Sequence, residues 1–188
     1  MPGTTTVAPT RTSTTTWNID PPHSIAEFTV KHMMIANVKG RFSKTSGALF
    51  LDESDLANSR VEAVIDAASI YTGDEQRNAH LKSADFFDVE KFPTLHFKSS
   101  TIGSAGDGKL SVEGDLSIHG ITHKVRFVVE GPTLPTKDLW GNTRVAISAS
   151  TKINRKDFGM VWNAALESGG VLVGDDVTIT LDVEFVKA

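Results

Sequence analysis

The sequence predicts an all-β protein in which eight antiparallel strands close into one barrel, with a short helix and long loops at the barrel mouth. Three observations support this fold class. Apolar and polar residues alternate with a period of two in eight segments, turn residues separate several of these segments, and small residues recur at inward positions. With 188 residues, the chain is long enough for one domain that encloses a core or a cavity.

Each segment places apolar side chains on one face of a strand and polar side chains on the other. The fifth segment, "LSVEGDLSI", and the last, "VTITLDVEF", carry the longest alternation. Such strands bury their apolar faces either in two packed sheets or in a barrel, and a barrel also removes the unpaired edges. The eight predicted strands cover residues 26–30, 47–51, 61–65, 95–97, 110–118, 125–129, 145–149 and 177–185.

Turn chemistry between the strands predicts hairpins. The stretch "GSAGDGKL" matches the G-x-x-x-x-G-K spacing of a phosphate-binding loop, but Leu110 stands where that loop needs Ser or Thr, and a strand follows Lys109 where it needs a helix. We therefore interpret it as a hairpin turn. The stretch "HGIT", around Gly120, predicts a second hairpin.

Small residues among the inward positions indicate space inside the barrel. Gly47, Ala63, Gly114 and Ala149 alternate with larger apolar residues. An eight-stranded barrel can hold one small ligand when its lining is not uniformly bulky. A tightly packed core is the equally weighted alternative at this point.

The segment "TGDEQRNAHLKSADFFDVEKFP" breaks the two-residue period. Thr72 and Glu75 fit a capping box, which predicts a short helix from there to about Lys82. The aromatic residues that follow are expected to plug one barrel end, although direct ligand contact is compatible with that role. The large apolar residues of the segment are Leu81, Phe86, Phe87 and Phe92.

Two further segments are expected to place apolar side chains at the mouth. Phe158, Met160 and Trp162 alternate in "INRKDFGMVWN", which predicts a short extended piece. The stretch "KHMMIANVKGRF" carries flexible apolar groups suited to a pliable hydrocarbon, with core packing as the alternative. Its apolar residues include Met33, Met34, Ile35 and Val38.

Composition argues against several classes of partner. The formal net charge of −4 gives no basic footprint for nucleic acid, and there is no cysteine for a disulfide or a Cys-ligated metal. No apolar run is long enough to predict stable membrane insertion. Residues 1–16 are Thr-rich and lack the apolar core of a signal peptide, so we expect a disordered tail before a domain over residues 17–188, and a cytoplasmic protein.

No catalytic or metal-binding pattern stands out, so neither a metal nor another cofactor is expected. The six histidines are scattered and form no helical i, i+4 pair. Asp74, Arg77, His80 and Asp85 can be read as an acid–base cluster, but a solvated helix face with local ion pairs is the stronger interpretation.

Four stretches together identify a family resemblance. "WNIDPPHSIAEFTVKHMMIANVKGRF", "SIYTGDEQRNAHLKSADFFDVEKFPTLHFKS", "GDLSIHGITHKV" and "INRKDFGMVWN", followed by "VGDDVTI", closely resemble the YceI-like polyisoprenoid-binding proteins, in order and over residues 17–186. The resemblance implies a lipocalin-like barrel that carries or stores a long isoprenoid or another amphipathic lipid without catalysis, in a protein that is often a homodimer. Many members are periplasmic.

The expected site follows from the inward alternation and the mouth segments. An apolar chain gains about 25 cal/mol for each Å² that it removes from water, so cavity shape should govern affinity. Charged groups near the mouth are candidates for the lipid head group: His32, Arg77, His80 and Arg155. The expected ligand-binding residues are Phe28, Val30, His32, Met33, Ile35, Val38, Phe42, Leu49, Ala63, Ile65, Leu81, Phe86, Phe87, Phe97, Val112, Leu116, Ile147, Ala149, Phe158, Met160, Trp162 and Ile179.

Two other functions remain open from the sequence. One is a lipocalin-like enzyme that acts on a small apolar substrate, with Asp74, His80 and Asp85 as the first candidates. The other is an interaction module of the stress response whose interior is simply packed. Lipid that co-purifies with the protein would separate the carrier from both.

Overall fold

A computed structural model describes residues 14–167 and 169–188, and in these residues twelve strands surround the core. The single α-helix of the described residues, α1, spans Glu75–Lys82. The strands are β1 (Thr14–Ile19), β2 (Ile25–His32), β3 (Ala36–Phe42), β4 (Thr45–Asp52), β5 (Arg60–Asp66), β6 (Ile70–Tyr71), β7 (Thr94–Gly106), β8 (Lys109–Ile118), β9 (Ile121–Glu130), β10 (Thr136–Lys137), β11 (Thr143–Asn154) and β12 (Val173–Lys187).

Three of the barrel strands are interrupted, so eleven of the twelve strands make an eight-stranded barrel, and the short β10 pairs only with β11. β11 pairs along one edge of β12, and β1 and β2 share the other edge, both antiparallel to β12. β3 and β4 together form the next barrel strand, because β4 pairs with β1 and β3 pairs with β2. β5 and β6 repeat the arrangement against β4 and β3.

The barrel closes through antiparallel pairs from β5 to β7, β8, β9, β11 and back to β12. The predicted eight-stranded antiparallel barrel is thereby confirmed. Each of the eight predicted strands falls within one barrel strand, while β1, β3, β6 and the short β10 were not predicted as separate pieces.

Two predicted hairpins lie where the turn residues placed them. Gly106 pairs with Lys109 across the β7–β8 turn, so the G-x-x-x-x-G-K stretch is a hairpin and lacks the helix that a phosphate-binding loop needs. His119 and Gly120, both with positive φ, join β8 to β9. Positive φ at both central residues is the geometry of a tight two-residue hairpin.

The N-terminal boundary differs from the sequence prediction. β1 begins at Thr14, three residues before the predicted start of the domain at residue 17, so the first strand extends into the predicted tail. Thr15 Oγ1 donates to the Leu51 carbonyl at 3.3 Å and accepts from Trp17 Nε1 at 2.8 Å, which ties this strand to β4. Residues 1–13 lie outside the described residues, and disorder there stays a prediction.

Local sequence explains the interruptions. Pro21 and Pro22 separate β1 from β2 and have no backbone N–H for a strand ladder. Between β5 and β6, Asp66 accepts a hydrogen bond from the Ala68 backbone N–H at 2.9 Å and closes a 3-10 turn. Between β3 and β4, the Lys44 N–H bonds to Ser69 Oγ instead of to a neighbouring strand.

The helix begins two residues later than the capping box of Thr72 and Glu75 predicted. Asp74 is the N-cap, and its carboxylate accepts from the Arg77 N–H at 2.7 Å. Asp at the N-cap satisfies one of the free N–H groups of the first turn. The predicted end at Lys82 is correct.

Apolar clusters close the two barrel ends. At the far end, where the β7–β8 turn lies, Trp17, Val145 and Phe185 are fully buried. At the mouth end, where α1 lies, Phe42, Phe158 and Met160 belong to a second cluster. A third cluster lies between these two ends, on the wall formed by β7, β8, β9 and β11.

Candidate ligand-binding cavity

An apolar cavity of about 240 Å³ occupies the barrel interior. Almost all the surface that faces it belongs to apolar atoms, which the inward positions of the strands supply. Its volume lies just below the roughly 300–1,000 Å³ of typical small-molecule sites. The cavity can therefore hold an apolar chain of moderate length in its present form.

Most of the predicted ligand-binding residues line this cavity. They come from the inward faces of the strands, from α1 and from the loop that follows it. The lining includes Phe28, Val30, Phe42, Leu49, Ala63, Ile65, Leu81, Phe86, Phe87, Phe97, Val112, Leu116, Ile147, Ala149, Met160 and Ile179.

The stretch 32–38 lies at the mouth, as the sequence predicted, but outside the cavity lining. Met33 and Met34 adopt positive φ and turn the chain from β2 into β3, so the stretch is a hairpin that projects from the mouth. Met33 and Ile35 are exposed by 38% and 80% at its tip. They do not line the cavity, and neither do His32 and Val38. Contact of these residues with a ligand at the mouth stays a prediction.

Phe158 and Trp162 also lie outside the lining. Phe158 is fully buried in the mouth-end cluster, with its ring 5.3 Å from that of His123. Trp162 packs against the rings of His80, at 4.6 Å, and Phe86, at 5.5 Å. Met160 lies between them in sequence and does line the cavity. The alternation predicted for this piece places one of its three apolar residues, not all three, toward the interior.

Several lining residues were missed, although the alternation marks most of them. They are the remaining inward residues of strands that were predicted correctly, and the period of two carries that signal. β1, the β9–β11 connection and the first residue of β12 supply others, which lie outside the predicted alternation. The missed apolar residues include Ile19, Leu51, Val61, Leu95, Ile102, Leu110, Phe127, Val129, Pro132, Ile153, Val173, Val177, Leu181, Val183 and Phe185.

The mouth cover consists of α1, the loop 83–93 and residues 155–167. Leu81, Phe86 and Phe87 face the cavity from α1 and the loop 83–93, which form the first part of the cover. Polar contacts hold that part in place: buried Asn78 Oδ1 accepts from the N–H and the hydroxyl of Thr72, each at 2.8 Å. The aromatic residues thus plug one barrel end and line the cavity as well.

Arg155 lines the cavity, but its donors are already used. The side chain is buried and donates to the carbonyl oxygens of Gly174 at 2.9 Å, Met160 at 2.6 Å and Trp162 at 2.9 Å. Burial lowers the pKa of the guanidinium, and the neighbouring Asp175 carboxylate opposes this shift. Arg155 therefore fixes the second part of the mouth cover to β12 and is not free for a lipid head group.

The other head-group candidates face away from the cavity. Arg77 Nε donates to Thr72 Oγ1 at 2.8 Å on the outer side of α1. His80 Nε2 lies 2.8 Å from Asp85 Oδ2, and both side chains are partly exposed. None of these residues, nor His32, belongs to the cavity lining. These side chains can therefore meet a head group only at the mouth or outside it, and their role as head-group contacts stays a prediction.

The suspected acid–base cluster does not converge on the cavity. Asp74 caps α1, and Asp85 pairs with His80 outside the mouth. None of the three belongs to the cavity lining. Their positions are those of a helix cap and a surface ion pair.

An ionic network around Arg144 braces the far part of the barrel. Arg144 donates to Asp20, Asp138 and Glu184. These hydrogen bonds raise the pKa of Arg144, while the side chains of Asn142 and Arg144 hold the pKa of Asp138 well below its usual range. In the described residues, Asp20, His23 and Glu184 are close enough to ligate a cation, but the guanidinium already neutralises both carboxylates.

The barrel and its apolar interior match a known family. The family model described as the YceI-like domain matches residues 17–185. The chain belongs to the YceI-like family. Two curated relatives of this family member come from Staphylococcus aureus: UPF0312 protein SAS2572 of strain MSSA476, 35% identical over 171 residues, and UPF0312 protein SAUSA300_2620 of strain USA300, 36% identical over 171 residues. Each alignment covers 91% of this chain and 97% of the relative.

Solved structures share the YceI-like barrel. BcnA of Burkholderia cenocepacia superposes with a TM-score of 0.75 and 25% identity, covering 88% of this chain and 98% of BcnA. A Campylobacter jejuni YceI protein gives 0.69 and 26%, covering 84% and 90%. A polyisoprenoid-binding domain from Saccharophagus degradans gives 0.67 over 92% and 98%, and its 15% identity supports the fold alone. In the described part of this chain, no helix has the length and apolar character needed to span a membrane.

Proposed function

We propose that this YceI-like protein binds one long-chain isoprenoid or similar amphipathic lipid in the barrel and carries or stores it without chemical change. The observation that carries the proposal is the closed barrel with an almost wholly apolar cavity. An apolar chain that enters it leaves water at about 25 cal/mol per Å². The polyisoprenoid-binding domain of Saccharophagus degradans has the same fold, which supports a lipid ligand at the level of the fold.

The positions of the ionisable groups favour binding over catalysis. Asp74, His80 and Asp85, the first candidates for an enzyme, lie outside the lining, and Arg155 uses its donors on backbone carbonyls. General acid–base chemistry needs a titratable group within hydrogen-bond reach of the substrate. A lipid held among apolar side chains has no such neighbour at these four positions.

The mouth cover is the proposed entry. Leu81, Phe86 and Phe87 line the cavity at the mouth, so the lipid chain would pass them on entry. A cavity of about 240 Å³ is small for a long isoprenoid. We therefore expect the lipid to displace part of the cover and to extend beyond the barrel.

Mass spectrometry of lipid extracted from the purified protein tests the function. The expected result is one dominant apolar or amphipathic lipid at close to one molecule per chain. A protein that neither yields lipid nor takes up dodecanol or dodecane from solution would contradict the proposal. Sedimentation of the same samples checks the separate proposal that the protein is a homodimer.

A further inference from the structure

The barrel wall contains a gap between its first two interrupted strands. The β1–β4 register runs to the pair Asn18 and Ala48, and the β2–β3 register begins at Ala26 and Phe42. Residues 19–25 therefore have no strand partner in residues 43–47. Ser43 and Lys44 bond instead to Ser69, in the 3-10 turn between β5 and β6.

Thr45 stands at this gap and faces the cavity. It pairs with Ile65 and shares its inward parity with Leu49, and all three residues line the cavity. The Thr45 Oγ1 atom is buried and has no hydrogen-bond partner among the described residues. A buried hydroxyl without a partner is unfavourable and uncommon in native proteins, so its position here calls for a ligand.

The other polar residues of the lining are accounted for by the protein itself. Ser24 Oγ donates to the Glu184 carbonyl at 3.3 Å, and Ser59 Oγ accepts from the Asp52 N–H at 2.9 Å. Arg155 donates to backbone carbonyls, as described above. Glu27 and His96 are solvent-exposed residues at outward strand positions. Thr45 is thus the lining residue of the described chain whose buried polar atom lacks a partner.

We propose that Thr45 is the polar contact of the bound ligand, and that this contact selects a lipid with a neutral hydroxyl or carbonyl group. The inference rests on the proposed lipid-binding function and narrows its ligand class. A hydroxyl side chain both donates and accepts, so it pairs with either group. A carboxylate or phosphate at the same place would be buried without a cation, because the guanidinium of Arg155 already serves backbone carbonyls.

Thr45→Val tests the contact because it removes the hydroxyl and keeps the branched shape. The probes are dodecanol, which carries one hydroxyl, and dodecane, which carries none. Loss of one neutral hydrogen bond should weaken dodecanol binding about three- to tenfold. Dodecane binding should stay unchanged or improve. Thr45→Ser retains the hydroxyl and is the matched control, expected to keep the preference for dodecanol.

A second measurement uses the lipid-free protein. Because the hydroxyl is buried without a partner, Thr45→Val should raise the melting temperature, and Thr45→Ser should not. A lower melting temperature for Thr45→Val would show that the hydroxyl has a protein partner and would overturn the inference.

The binding outcomes separate this inference from the proposed function. If wild type binds both probes and Thr45→Val weakens neither, the Thr45 contact is wrong while lipid binding stands. If dodecanoate binds more tightly than dodecanol, the selection of a neutral group is wrong. If wild type binds no probe at all, the lipid-binding function itself is contradicted.

Discussion

Replacing Ala149 by Trp distinguishes a ligand cavity from a packed core. Ala149 is buried on β11, lines the cavity and belongs to the cluster on the β7–β11 wall. An indole that enters the cavity of about 240 Å³ replaces empty space, whereas an indole forced into a packed interior has to displace its neighbours. The two cases differ in the sign of the stability change.

The magnitude follows from the area that the new ring buries. About 150 Å² of apolar surface at about 25 cal/mol per Å² contributes about 4 kcal/mol at most, because the unfolded chain already buries part of it. An imperfect rotamer costs about 1 kcal/mol. We expect the free energy of unfolding of Ala149→Trp to equal or exceed that of wild type, and the bound lipid to be lost.

Urea denaturation and lipid extraction, made in parallel, measure both quantities. Ser150→Trp is the matched control, because Ser150 follows Ala149 on β11 and is exposed on the outer face. It should change stability by less than about 0.5 kcal/mol and keep the lipid. A loss of about 1 to 3 kcal/mol in Ala149→Trp, the usual penalty of overpacking, would refute the cavity.

Three further variants test the parts that hold the barrel together. Arg155→Met should lower the free energy of unfolding by at least about 2 kcal/mol in urea, because buried carbonyls lose their donor; a change below about 0.5 kcal/mol would contradict this role. Arg144→Met should move the acid-unfolding midpoint, followed by circular dichroism, to higher pH. The depressed pKa of Asp138 contributes stability that is present above the unfolded-state pKa of about 3.9 and is lost as pH falls toward the lower folded-state pKa. An unshifted midpoint in Arg144→Met would contradict a stabilising role of the Arg144 network. Deleting residues 1–16 should lower the melting temperature because it removes half of β1, whereas deleting residues 1–13 should not; equal melting temperatures would show that the start of β1 contributes nothing.

The sequence was sufficient for the barrel but not for its interruptions. A period of two determines which face of a strand is buried, so inward positions such as Leu116 and Ile179 could be predicted. Half of the residues of β1 are Thr, and the segment becomes a strand through pairing with β4 and β12, which are distant in sequence. β3 was not predicted, because Gly40 stands at an inward position where an apolar side chain would have marked the strand. A Cβ there would collide with the Phe28 ring on the neighbouring strand.

The polar part of the site was predicted poorly because charge alone does not show which partners a side chain has. Arg155 lies at the cavity as expected, but its acceptors are backbone carbonyls of Met160 and Trp162 in the mouth cover and of Gly174 in β12. One feature of Thr45 could be predicted from the sequence: it shares the two-residue period of the inward positions Gly47 and Leu49. That signal gives its direction but not the lack of a partner, which depends on the gap between the first two barrel strands.

The two barrel ends differ in how they are held, and this difference determines where a ligand can enter. The far end combines fully buried Trp17 and Phe185 with the Arg144 network, so opening it would expose large apolar groups and break ion pairs. In α1 at the mouth, the buried side chain is the polar Asn78, and Leu81 is only half-buried. Segments with few buried apolar contacts open at the lowest free energy. The proposed lipid exchange through α1 would therefore leave the far end of the barrel intact.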